Sequence, residues 1–144
     1  MNLSTVLFSF TGRLNRAPYW LAGVAAGVVA MLICIGIAVA IHRAIPVMVV
    51  LYLAVFVALG WTFFALAIKR LHDRDKSAWW ILLFYFAPSI LQVIGEYTGS
   101  AGSIFIGLIG LGISIWGLVE LGFLRGTTGQ NSYGPDPLQV RSLA

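Results

Sequence analysis

Residues 19–41 read YWLAGVAAGVVAMLICIGIAVAI, 23 positions without one charged side chain. A helix rises 1.5 Å per residue, so about 20 apolar residues cross the hydrocarbon core of a bilayer. A membrane strand reads differently, alternating apolar and polar positions over about ten residues. In lipid each backbone N–H and C=O needs a partner within the protein, and a helix supplies one locally. This stretch is therefore read as a transmembrane helix, and it sets the fold class for the chain around it.

Three more runs follow. Ile45–Ile68 has 24 residues and no charge, Ala78–Gly95 has 18, and Ile104–Leu124 has 21 with Glu120 as its one charge. The whole chain is 144 residues long, 60% hydrophobic and 10% charged, with a mean hydropathy of +0.94. A soluble domain carries about 25% charged residues, so this composition excludes disorder and argues against a soluble enzyme. The expected fold is all-α: a single integral membrane domain over 1–144, built as a four-transmembrane-helix bundle. Its helices are placed at about 19–41, 45–68, 78–95 and 104–124. An interfacial segment (1–18), whose Leu3, Val6, Leu7, Phe8 and Phe10 read as an amphipathic stretch lying on the inner leaflet, precedes them. A Gly- and Pro-rich tail (125–144) follows them. Ala38-Val39-Ala40 resembles a signal cleavage site, but the apolar run is longer than the usual 7–15 residues, so it is read as an uncleaved span. Cys34 stands alone and reads as a small buried hydrophobe.

The net charge of +4 says more through its placement than through its sum. Arg13, Arg16, Lys69, Arg70, Arg74, Lys76, Arg125 and Arg141 fall in loops on one side of the predicted bundle, and Arg43 alone falls on the other. The excess of Lys and Arg marks the cytoplasmic side, so both termini are expected in the cytoplasm. The basic balance then points to anionic lipid headgroups and not to nucleic acid.

Three polar segments lie on that side. They are Phe8-Ser9-Phe10-Thr11-Gly12-Arg13-Leu14-Asn15-Arg16-Ala17-Pro18-Tyr19-Trp20, Lys69-Arg70-Leu71-His72-Asp73-Arg74-Asp75-Lys76-Ser77-Ala78-Trp79-Trp80, and Gly126-Thr127-Thr128-Gly129-Gln130-Asn131-Ser132-Tyr133-Gly134-Pro135-Asp136-Pro137. In this order, with hydrophobic spans between them, they resemble the bacterial inner-membrane family known as domain of unknown function 805 (DUF805). The resemblance implies a multi-pass protein of the bacterial inner membrane and no particular chemistry. The sequence departs from the family pattern at Asp75, where a glycine is common, and at Ser132, where a basic residue is common.

The residues themselves suggest a polar cluster of Arg13, Arg16, Lys69, Arg70, His72, Asp73, Arg74, Glu120 and Asn131. If the second helix continues to Asp73, Lys69, His72 and Asp73 share a face, and Arg70 pairs with Asp73 three residues on. The plain reading is a local ion-pair cap. The functional reading is a headgroup pocket made by Arg13, Arg16, Arg70 and Arg74. Glu120 lies inside an apolar run, where a carboxylate faces the bundle and takes a partner. Arg13, Arg16 and Lys69 are the expected partners. Ser103, Gly107, Gly110, Ser114 and Gly117 form a seam of small residues at helical spacing, a packing surface for a neighbouring helix. Gly23 and Gly27 form a weaker GxxxG, within or between chains. Pro88 is expected to kink the third helix. Trp20, Trp79 and Trp80 read as an aromatic belt.

Catalytic readings lack parts. His42 and His72 fall on opposite sides of the membrane, His72-Asp73 has no further metal ligands, and Gly126–Gly129 is not followed by the Gly-Lys-Ser/Thr of a phosphate loop. No catalytic residue, metal or cofactor is expected. The expected function is non-enzymatic: binding a partner or an anionic headgroup at the cytoplasmic face. The alternatives are a small transporter or channel component and a membrane enzyme acting on a lipid phosphate. A second copy of the chain or another membrane protein is a further candidate partner besides the bilayer.

Overall fold

The computed structural model describes residues 3–142. The side chains of Leu3 and Arg141, and the chain ends at 1–2 and 143–144, lie outside the described residues. The fold is all-helical, and the described residues contain no strand, only an isolated bridge between Asn131 and Gly134. The helices are α1 (Leu3–Phe8), α2 (Arg16–His42), α3 (Pro46–Asp73), α4 (Leu82–Glu96), α5 (Gly99–Phe123) and α6 (Pro137–Ser142).

Three of them, α2, α3 and α5, are long and apolar enough to cross a membrane, with 27, 28 and 25 residues. They exceed their sequence-based limits because each carries its polar flanks in helical form. The α3 helix runs five residues past Ile68, to Asp73. The third expected span is shorter than read. Residues 78 and 79 form a turn, and α4 opens at Leu82 with a π-helical turn, Leu82–Phe86. Pro88 explains that turn: it lacks the N–H that would bond the carbonyl four residues back, and a wider turn absorbs the gap.

Two antiparallel hairpins result. In the first, α2 ends at left-handed Ala44 (φ 53°), Ile45 N–H bonds back to Ala40 O at 2.9 Å, and Pro46 opens α3. A left-handed residue ending one helix and a proline starting the next are the usual devices for so short a turn. In the second, α4 and α5 pack through the small-residue seam. A Cβ at Gly117 would lie 3.0 Å from Phe84, one at Gly110 3.5 Å from Pro88, and Gly95 faces Ser103. Gly107 faces open space and the Ser114 hydroxyl bonds back to Gly110 O of its own helix, so the seam meets α4 at Ser103, Gly110 and Gly117. Gly23 and Gly27 also face open space.

The hairpins meet chiefly at one end. The buried residues of α3 all lie from Thr62 onward, and Ala67 and Leu71 pack with Ile81, Phe84 and Leu121. The N-terminal segment, the 74–81 loop and the tail gather at this end. It holds all the described basic residues but Arg43 and is called the basic end below. Here α1 lies across the first hairpin, with Val6 packed on Leu14 and Leu66. Elsewhere the helices present apolar side chains outward, as a lipid-embedded protein requires. Cys34 is one of these exposed positions and not a core residue.

Candidate functional site

The last carbonyls of a helix have no partner inside it. At the end of α5 such carbonyls, with the two that follow the helix, organise the basic end. Five consecutive ones receive donors from side chains of other helices and their flanks. Arg70 Nε donates to Leu121 O at 2.7 Å, Trp20 Nε1 to Gly122 O at 3.0 Å, and Arg16 Nη1 to Phe123 O at 2.9 Å. Arg70 Nη2 donates to Leu124 O, and Arg74 Nη1 to Arg125 O at 2.6 Å. Trp20 thus does more than mark an interface. Gly122 lies so close that a Cβ there would come within 2.7 Å of the Trp20 ring.

Beside this array sits Asp73, 3% exposed. Its carboxylate accepts from Arg13 Nε at 3.1 Å and from Arg70 Nη1. Arg70, fully buried, therefore joins the pair predicted by spacing to the end of α5. Arg13 continues into the tail, donating to Gly129 O at 2.6 Å, Gly134 O at 3.2 Å and Thr127 O. The tail closes over the end of α3: Thr127 N–H donates to Asp73 O at 2.8 Å, and Asn131 Nδ2 to His72 O at 2.8 Å. Asn131 Oδ1 accepts from Tyr133 N–H, and the Tyr133 ring stacks on His72, centroids 3.8 Å apart. The His72 Nδ1 sits 3.3 Å from Gly12 O. Gly126 is needed for closeness, because a Cβ there would run into the Asp73 carboxylate. Gly129 is needed for its backbone, at φ 76°.

Glu120 is buried, but its partners differ from those expected. It accepts from Arg74 Nε at 2.9 Å and lies 3.5 Å from Lys76 Nζ, which also sits 4.1 Å over the Trp80 ring. The expected partners are committed elsewhere: Arg13 to Asp73 and the tail, Arg16 to Phe123, and Lys69 to the carbonyls of Thr5 (2.7 Å) and Val6 on α1. Lys69 therefore does not share a pairing with Asp73 despite their i, i+4 spacing; it fastens α1.

The cluster's nine predicted members are thus brought to one end of the molecule, and besides Lys76, Trp20 and Tyr133 two further polar groups join the same network. One is Thr127. The other is Asp136, whose carboxylate accepts from Leu138 N–H at 2.9 Å and Gly129 N–H at 3.2 Å. These bonds, the Leu138 amide first, hold the Asp136 carboxyl below its ordinary range. The main-chain acceptors had no signal in the sequence.

The two departures from the family pattern touch each other. Asp75 has φ 57°, a left-handed conformation that glycine adopts freely and Asp tolerates. Its carboxylate accepts from the Ser132 N–H at 3.2 Å. A left-handed backbone gives a reason for the glycine that the resemblance implies here, and this chain's Asp75 holds the tail.

The cations in this site fall into two groups. Arg13 and Arg70 are sealed and consumed by internal bonds, so they cannot serve as an open headgroup pocket. Arg16 and Arg125 are exposed, and the side chains of Arg74 and Lys76 are 25% and 24% exposed. Among the described residues no group of three or more His, Cys, Asp or Glu side chains is placed to hold a metal ion.

The chain is similar to several curated proteins. It is 36% identical to the inner membrane protein YhaI of Escherichia coli strain K12 over 131 residues, 89% of this chain and 85% of that one. It is 29% identical to the uncharacterized protein YiiR of the same strain over 149 aligned residues, covering 100% of this chain and 96% of that one. A partial match, 31% identical over 83 residues, is to the inner membrane protein YhaH, of which it covers 47%. No solved structure matches. With spanning-length helices and relatives named for the inner membrane, this is a multi-pass inner-membrane protein. The family model described as "Protein of unknown function (DUF805)" matches residues 7–135, which contain all three polar segments up to Pro135, and the chain belongs to that family.

Proposed function

We propose that this protein crosses the inner membrane four times with both termini in the cytoplasm, and that its basic end holds anionic lipid headgroups without catalysing a reaction. The register of the second hairpin supports the fourth crossing. Phe84 lies opposite Gly117, Pro88 opposite Gly110 and Gly95 opposite Ser103, so α4 runs beside α5 from Gly117 to Ser103. The bias of basic residues to one end supports the orientation.

One observation carries the headgroup reading. The buried cations are neutralised internally, while Arg16, Arg74, Lys76 and Arg125 stay within reach of solvent around the rim of a fixed plate. A cation beside an anionic bilayer surface contributes about 1 kcal/mol. A plate that is already folded loses little ordering entropy when it binds.

The test uses nanodiscs containing equal phosphatidylglycerol and phosphatidylcholine, followed by analysis of the lipid retained on extraction. Phosphatidylglycerol is expected to be enriched at low salt and to lose that enrichment at high salt. Arg16→Gln with Arg125→Gln is expected to reduce it severalfold. Equal retention of the two lipids at low salt refutes the proposal.

A further inference from the structure

Next to the plate lies a groove of about 620 Å³ that the polar cluster does not use. Its floor and walls are Ala22, Ala25 and Ala26 of α2 and Ala58 of α3, with Val6 and Phe8 of α1 at one end. The one side-chain hydroxyl in the lining, Thr62, is turned back onto Ala58 O at 3.2 Å, which leaves its methyl group for the groove. The lining is otherwise apolar.

We propose that this groove seats one acyl chain of a glycerophospholipid from the leaflet at the basic end. Depth is the first argument. On α2 the groove runs from Pro18 to Val29, about 16 Å at 1.5 Å per residue. That is about half of the roughly 30 Å hydrocarbon core, the depth of one leaflet. The second is access. The α1 helix is fastened across one end of the groove by Lys69 on the Thr5 and Val6 carbonyls and by Trp61 Nε1 on Phe8 O at 3.2 Å. A helix of a second copy spanning the full bilayer would meet α1. An acyl chain rooted at the interface enters beneath it.

The third argument is charge. The groove's rim, at Phe8 and Pro18, opens at the end that carries all the described basic residues but Arg43, so the phosphate of a seated lipid lies on the cationic side. Its volume falls within the range of about 300–1,000 Å³ common for small-molecule sites. The inference rests on the proposed topology only for the choice of leaflet. Seating the chain needs no anionic headgroup.

The experiment uses the full chain in phosphatidylcholine vesicles doped with a phosphatidylcholine carrying a photoreactive diazirine in its acyl chain. Irradiation and peptide mapping are expected to place adducts preferentially on residues 18–29 and 55–62, above the equally lipid-facing 104–111. Ala25 and Ala58 are both exposed to the groove, so a bulky ring there fills it without entering the core. The double variant Ala25→Trp, Ala58→Trp is expected to lower that labelling severalfold, because the rings occupy the space of the seated chain and cost it its packing contacts. The control Leu32→Trp, on an exposed face outside the groove, leaves it unchanged, and circular dichroism checks that each variant is folded. Adducts spread evenly over the lipid-facing helices overturn the proposal. So does labelling that the filled groove does not lower. Absent groove labelling together with a cross-linked dimer gives the groove to a second copy. Because phosphatidylcholine has no net charge, loss of the headgroup preference tested above leaves this result standing.

Discussion

The substitution Asp73→Asn isolates the charge at the centre of the basic end. It keeps the size of the side chain and leaves an oxygen acceptor. It removes the one negative charge shared by two guanidinium groups whose side chains are 1% and 0% exposed. Removing one partner of a buried pair costs about 3–5 kcal/mol. The lower limit applies here, because Arg13 and Arg70 keep their carbonyl acceptors at Gly129, Gly134, Thr127, Leu121 and Leu124. With about 3 °C of melting temperature per kcal/mol for a chain of this size, a cost of about 3 kcal/mol lowers the midpoint by about 9 °C. Glu120→Gln is the internal comparison. Its cations, Arg74 and Lys76, are about a quarter exposed, so water screens their loss. About 1 kcal/mol, or about 3 °C, is expected there. Both variants are melted in the same detergent micelle by circular dichroism. Equal shifts, or a smaller shift for Asp73→Asn than for Glu120→Gln, refute the view that Asp73 neutralises the sealed cations.

Two further outcomes follow from the same network. Gly126→Ala places a methyl group against the Asp73 carboxylate and is expected to destabilise by about 1–3 kcal/mol, the range for overpacking, read as a lower melting midpoint with the tail cleaved faster by protease. For Asp136 the sign comes from its lowered folded-state pKa. Its contribution is fully present above the ordinary value of 3.8 and is lost as pH falls through the lower folded value, with the Leu138 and Gly129 amides released. Their amide resonances are expected to move only below about pH 3.8, and unchanged shifts down to pH 2 would contradict this.

Local relationships in this chain could be read before its fold was known. Continuous apolar runs gave the long helices, and three-residue spacing gave the Arg70–Asp73 pair, because both depend on one helix's own period. The small-residue seam predicted a packing face, and α4 occupies most of it. Relationships between distant segments were not legible. Glu120 was assigned the wrong cations because several basic residues lay on the same side and sequence gives no distance among them. The shortening of α4 comes from the turn at residues 78 and 79, and the proline is met by a π-helical turn where a kink was the simpler expectation. Main-chain acceptors carry no residue type, so the row of carbonyls ending α5 had no sequence signature. Yet that row decides where Arg16, Trp20, Arg70 and Arg74 point.

The same row of carbonyls has a consequence for biosynthesis. Leu121 to Arg125 are translated late, and their donors, Arg16, Trp20, Arg70 and Arg74, are translated well before them. Until α5 arrives, the first hairpin holds guanidinium groups without these acceptors. The second hairpin alone would end in carbonyls without these donors. Neither half is complete by itself: the Arg13–Asp73 and Arg70–Asp73 pairs lie within the first hairpin and its flank, but the donors aimed at α5 wait until Arg125 has left the ribosome. Premature termination within α5 would therefore cost the first hairpin its fixed end as well as removing a helix.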